Sequence, residues 1–95
     1  MKLRLSRRAT SDLHEIIDYL NMHNPGAAKR VRAALDAALS ILTSFPALGV
    51  VQQRDVRKYI MPRFPYLIYY SVAQREQEIR IITIRHAARR PFLTP

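Results

Sequence analysis

Leucine and basic side chains alternate over Lys2–Leu5, the two-residue repeat of a short strand with one face in the core. Leu3 and Leu5 are expected to point inward. Ser6 follows as a candidate N-cap, and then Leu13, Ile16, Ile17 and Leu20 recur at helical spacing, which predicts an amphipathic helix reaching about Met22. Asn21 to Asn24 should end it. Asn24-Pro25 has the form of an N-cap with a first-turn proline and opens a second stripe at Ala28, Val31, Leu35, Ala38, Leu42 and Phe45. With so short a connection the two helices must form an antiparallel hairpin. Ala27, Ala28, Ala34 and Ala38 let their axes approach closely.

Pro46 and Gly49 close the second helix, and from Val56 onward the repeat returns to two, carried by β-branched and aromatic residues. Strands are predicted over residues 56–61, 66–73 and 78–85. The turns between them, Pro62-Arg-Phe-Pro65 and Gln74-Arg-Glu-Gln77, have lengths that suit an antiparallel meander. In the last strand Ile79 and Ile81 alternate with Arg80 and Ile82, so one face is apolar throughout and the other turns apolar near its end. The predicted fold is therefore α+β, in the order β-α-α-β-β-β, with a helical hairpin packed on a small, mainly antiparallel sheet. Residues 1–95 are expected to form one domain, with a short C-terminal tail at about 87–95. No repeat and no low-complexity tract interrupts it.

Composition narrows the chemistry. Lys and Arg number 16 against 7 acids, a net charge of +9, and the pI is near 10.9. That balance favours nucleic acid, an acidic protein or an anionic surface as partner. Cysteine is absent, which excludes disulfides and thiolate zinc sites and suits a reducing cytoplasm. The basic start runs into Asp12 and Glu15 rather than an apolar segment, so no export signal is expected. The longest charge-free stretch, residues 37–53, contains Pro46 and Gly49 and is no bilayer span. No membrane partner is expected. The three histidines, His14, His23 and His86, show no metal-ligand spacing, and two glycines cannot build a phosphate loop or a nucleophile elbow. Neither metal nor cofactor is expected.

Charge is distributed unevenly. Asp12, Glu15 and Asp18 gather on the first helix, whereas Arg54, Arg57, Lys58 and Arg63 mark the first strand of the meander and Arg85, Arg89 and Arg90 its end. Solvated strand edges would account for any one of these residues. Taken together they predict one strongly positive side. Tyr69 and Tyr70 point to opposite faces, so at least one belongs to the core, and Tyr66 has two readings, core aromatic or stacking platform.

The opening Leu5-Ser-Arg-Arg-Ala9 with Asp12-Leu13, Ile16 and Tyr19, the segment Phe64-Pro-Tyr-Leu-Ile-Tyr-Tyr-Ser-Val72, and the ending Ile79-Arg-Ile-Ile-Thr-Ile-Arg-His-Ala-Ala-Arg-Arg-Pro91 resemble the RelE/ParE toxins of bacterial type II toxin–antitoxin systems. The resemblance covers nearly the whole chain. It implies a growth-inhibiting toxin of the kind linked to plasmid stabilisation, neutralised by a cognate antitoxin, with one of two targets: DNA gyrase in the ParE-like branch, or ribosome-bound mRNA in the RelE-like branch. The nuclease branch tends to carry Arg just after the position of Tyr66 and His or Tyr at the end of the last strand. Here those places hold Leu67, and Ala87 and Ala88 after His86.

Two expected groups for metal-free RNA cleavage are thus apolar. The reading leans to the ParE-like branch, a gyrase poison with no catalytic residues, and away from an enzyme; the alternatives are an mRNA interferase, or an antitoxin-binding relic without a target. His86 is read as a strand-end cap or contact residue. Arg85, His86, Arg89, Arg90 and Phe92 are the expected target-binding residues, with the 87–95 segment carrying engagement; the alternative for Phe92 and Leu93 is to cover a sheet edge. Arg54, Arg57, Lys58, Arg63 and Tyr66 are the expected antitoxin-binding residues.

Overall fold

The computed structural model describes residues 1–88. Strand β1 spans Lys2–Leu5, helix α1 Arg7–His23, helix α2 Pro25–Ser44, and four strands follow: β2 Val50–Gln53, β3 Val56–Ile60, β4 Tyr66–Ala73 and β5 Glu78–His86. The sheet order is β1-β5-β4-β3-β2. β1 pairs with β5 in parallel and every other neighbouring pair is antiparallel. Strand β2 is additional to the sequence reading. Val50-Val-Gln-Gln53 has no alternation to mark it, and it is a strand because the tight turn at Arg54-Asp55 folds it back onto β3. Arg54 accepts a φ of 54° to make that turn.

The helices form as their caps dictate. Ser6 Oγ accepts the Ala9 N–H at 2.9 Å, and the single linker residue Asn24 serves both helices: its N–H donates to the Leu20 carbonyl, and its Oδ1 accepts from Ala27 N–H. Both stripes pack on one face of the sheet. Leu13, Val31, Leu35, Ala38 and Leu42 meet Ile68, Tyr70, Ile79, Ile81 and Ile84 in the core, with Ile16, Ile17 and Leu20 at its margin. Two expectations fail at the edges. Phe45 lies past the last helical turn and is exposed, and Leu3 is 40% exposed because it sits on an edge strand, where only Leu5 reaches the core.

A bulge in β5 corrects the face assignment of its isoleucines. Tyr70 pairs with Ile81 but Tyr69 pairs with Thr83, so Ile82 is an extra residue and the alternation shifts by one. Ile84 thereby joins Ile79 and Ile81 under the helices instead of lying on the open face.

Beyond Leu5, side chains and the start of α1 complete the β5 edge that β1 no longer covers. Ser6 N–H donates to the Ile81 carbonyl and Ser6 Oγ to that of Ile82; the Asp12 carboxylate accepts the Ile84 N–H at 3.1 Å and the Thr83 hydroxyl. At the other end of this edge Glu78, little exposed, takes Arg80 at 2.9 Å and Arg4 at 3.4 Å. The Arg80 hydrogen bond holds its carboxyl below the usual range, outweighing the opposing effect of desolvation, and Arg4 adds to the lowering. A carboxyl lowered in the folded chain stabilises it above the unfolded value, and that contribution is lost as pH falls through the folded value. The stability difference between wild type and Glu78→Gln should therefore shrink as pH is lowered through the carboxylate range, measured by urea unfolding at a series of pH values. Because Arg4 and Arg80 are half-exposed or more, added salt should reduce the difference as well.

Candidate functional site

The sheet face turned away from the helices is a mixed basic and apolar surface. Cross-strand register places Ile60, Leu67 and Arg85 in one row and Lys58, Tyr69 and Thr83 in the next. Ile60 is 60% exposed and Leu67 is half-buried. The row between Ile60 and Arg85 thus presents two adjacent branched aliphatic side chains. Tyr69, opposite in face to Tyr70, is itself buried, so both tyrosines are interior but on different sides of the sheet.

At the end of the β4–β5 pair, where β1 no longer flanks β5, the helix-facing side opens into a cleft of about 320 Å³ between α1 and the strand ends. Tyr66 pairs with His86 across the strands, and their rings meet edge to face at 5.5 Å. His86 Nδ1 accepts the Ala88 N–H at 3.0 Å, the strand-end capping expected of it. Across the cleft α1 offers Asp12, Glu15, Ile16 and Tyr19, with Ile84 at the base. Burial pushes the Tyr66 phenol up, and nearby Tyr19 adds to the shift. Tyr19 is 63% exposed and stacks on His23 at 4.3 Å.

The structure brings some of the expected site residues together and separates others. His86 and Tyr66, assigned to two different partners, form one wall of the cleft. Arg85 and Lys58 fall in neighbouring rows with Leu67 and Tyr69. Arg54 is exposed in the β2–β3 turn and Arg63 in the loop before β4. Arg57 is instead tied down. Its Nη1 donates to the carbonyls of Gly49 at 2.8 Å and Ala47 at 3.2 Å, so it buttresses the α2–β2 loop. Arg89, Arg90 and Phe92 lie outside the described residues. Sequence reasoning missed Glu15 and Tyr19 as site residues; their signal was spacing, since with Asp12 they recur at three and four residues along one helix face. Among the described residues no cluster of three or more His, Asp or Glu side chains could hold a metal ion, and no helix is long and apolar enough to cross a membrane.

The profile of the ParE toxins of the type II toxin–antitoxin system parDE matches residues 3–91. The chain belongs to that family. A protein of Sinorhizobium fredii provisionally named a toxin, Y4kP, is 31% identical over 87 residues, which is 90% of this chain and 88% of the relative. Among solved structures, the chromosomal ParDE toxin–antitoxin system of P. aeruginosa superimposes with a TM-score of 0.76 at 23% identity, over 90% of this chain and 95% of that one. The isolated RelE toxin of E. coli gives 0.65 at 16% identity, covering 94% and 86%, and the RelBE2 toxin–antitoxin complex of Mycobacterium tuberculosis 0.62 at 19%, covering 90% and 95%. At these identities the structural likenesses show the shared α+β fold. In this ParE-family toxin the sheet face turned away from the helices carries the aliphatic row, and the helix-facing side holds the acidic, aromatic cleft.

Proposed function

We propose that this toxin acts on DNA gyrase, trapping the enzyme–DNA complex in its cleaved state, and that a cognate antitoxin holds it silent. The observation that carries the reading is the row Ile60–Leu67–Arg85 on the open face. Leu67 stands where the nuclease branch tends to place an arginine, and its neighbour Ile60 supplies no charge in compensation. A transferring phosphate needs a cation where its negative charge develops, and at position 67 an aliphatic side chain holds that place, the cation of the row being Arg85 on the neighbouring strand. His86 Nδ1 accepts the Ala88 N–H at the strand end, which fits a contact role.

The antitoxin reading rests on charge. A partner with an acidic, partly disordered segment would be steered onto a chain of net charge +9, folding as it binds. Arg54, Lys58 and Arg63, outside the loop that occupies Arg57, are the basic groups best placed for it. The domain assignment of residues 1–95 and a target-engaging segment at 87–95 belong to the same proposal.

A paired cell-free assay tests the target. Purified chain should inhibit supercoiling by gyrase and accumulate cleaved DNA, while leaving translation of a reporter message intact and uncut. Growth inhibition should survive His86→Gln. Cuts mapped on ribosome-bound message, with gyrase unaffected, would establish the mRNA interferase reading in its place.

A further inference from the structure

The cleft between α1 and the ends of β4 and β5 has a chemistry opposite to the rest of the surface. In a chain with 16 Lys and Arg against 7 acids, no Lys or Arg among the described residues lines it, and its acidic groups are the carboxylates of Asp12 and Glu15. Among the described residues the ion pairs are Arg4–Glu78, Arg80–Glu78 and Arg32–Asp36, so Glu15 takes part in none of them. The remaining walls are the rings of Tyr19, Tyr66 and His86, and the two tyrosine faces carry the negative quadrupole that attracts cations. These rings are held in place: Tyr19 by its stack on His23, Tyr66 by burial and by its contact with His86.

We propose that this cleft is a binding site for a guanidinium group, the side chain of an arginine presented by a protein partner. A planar guanidinium can lie against a tyrosine ring while its N–H fork addresses the Glu15 carboxylate, a combination that the compact, strongly hydrated lysine ammonium serves less well. Asp12 supplies field without leaving its post, because one of its oxygens stays with Thr83 and Ile84. A nucleotide fits poorly, since its phosphate would approach two carboxylates. The inference does not depend on whether gyrase or the ribosome is the target.

The test is a titration of the full chain, in neutral buffer, with N-acetyl-arginine amide, followed by amide and side-chain NMR shifts. Saturable shifts are expected at Glu15, Tyr19, Ile84 and His86, and none with the neutral isostere N-acetyl-citrulline amide. Glu15→Gln and Tyr19→Ala should each weaken binding about tenfold. Both positions are exposed, so the variants should keep the wild-type spectrum elsewhere. Absence of shifts, an equal response to citrulline, or undiminished binding by Glu15→Gln would overturn the proposal. Preferential saturation of the cleft by guanosine monophosphate would also overturn it, assigning the site to a nucleotide.

Discussion

Gly49→Ala should lower stability by about 2–5 kcal/mol, from overpacking and from broken buried hydrogen bonds. A Cβ built at Gly49 lies 2.7 Å from both Cε1 and Oη of Tyr70, a ring that is fully buried. The ring has no free space to enter, because Ile68, Ile81 and the α2 side chains surround it in the core. Its hydroxyl is equally constrained: Oη accepts from Gly49 N–H and donates to the Pro46 carbonyl, both at 2.8 Å. Burial raises the phenol's pKa, an effect that outweighs the Gly49 hydrogen bond and nearby Arg57, so it remains a donor. Tyr70→Phe should cost about 1–3 kcal/mol by leaving buried polar partners unsatisfied. In the double variant Gly49→Ala/Tyr70→Phe the clash with Oη is gone while that with Cε1 stays, so the combined loss should be smaller than the sum. Urea unfolding of the four proteins measures the cycle. Strict additivity would mean that the hydroxyl and the glycine do not share one site.

Asp12→Ala should cost about 2–4 kcal/mol, since it strips the acceptor from two buried donors at once, one of them backbone. The carboxylate stands in for the strand that would otherwise continue past Leu5, and alanine offers neither the Ile84 N–H nor the Thr83 hydroxyl any replacement. Asp12→Asn should lose less, because one carboxylate oxygen takes both bonds and the amide oxygen in its place can still accept them, without the charge that strengthens them. Hydrogen exchange locates the effect: in Asp12→Ala the Ile84 amide should lose protection well beyond the global change in stability. Uniform loss across the sheet would show that Asp12 supports the fold in general and not this edge.

Most of the architecture was legible because its periods are strong. The α2 stripe from Ala28 to Leu42 and the β4 segment from Tyr66 to Ala73 fall where spacing predicts them. What escaped was set by pairing. Strand β2 is short and unpatterned, and only its turn onto β3 makes it a strand. The bulge at Ile82 cannot be read from β5 alone, since a run of isoleucines fits either face until Tyr69 and Tyr70 fix the register. At the candidate site His86 and Tyr66 were singled out one by one, but their adjacency depends on the antiparallel register. The carboxylates of α1 were recognised only as a charge cluster, because the approach of a helix to a strand end leaves no mark in local sequence.

The position of β5 has a consequence for when this toxin comes into being during its synthesis. β5 is the last strand of the sheet in chain order, yet it lies between β1 and β4 and joins the first residues to the meander. Helix hairpin and β2–β4 can begin to organise as they emerge from the ribosome, since their contacts are local. The sheet cannot close, nor the cleft beside His86 exist, until Glu78–His86 is free. An incomplete translation product therefore lacks the finished surface. The closed sheet appears all at once when β5 is free of the ribosome, and an antitoxin that recognises it meets only chains that carry β5.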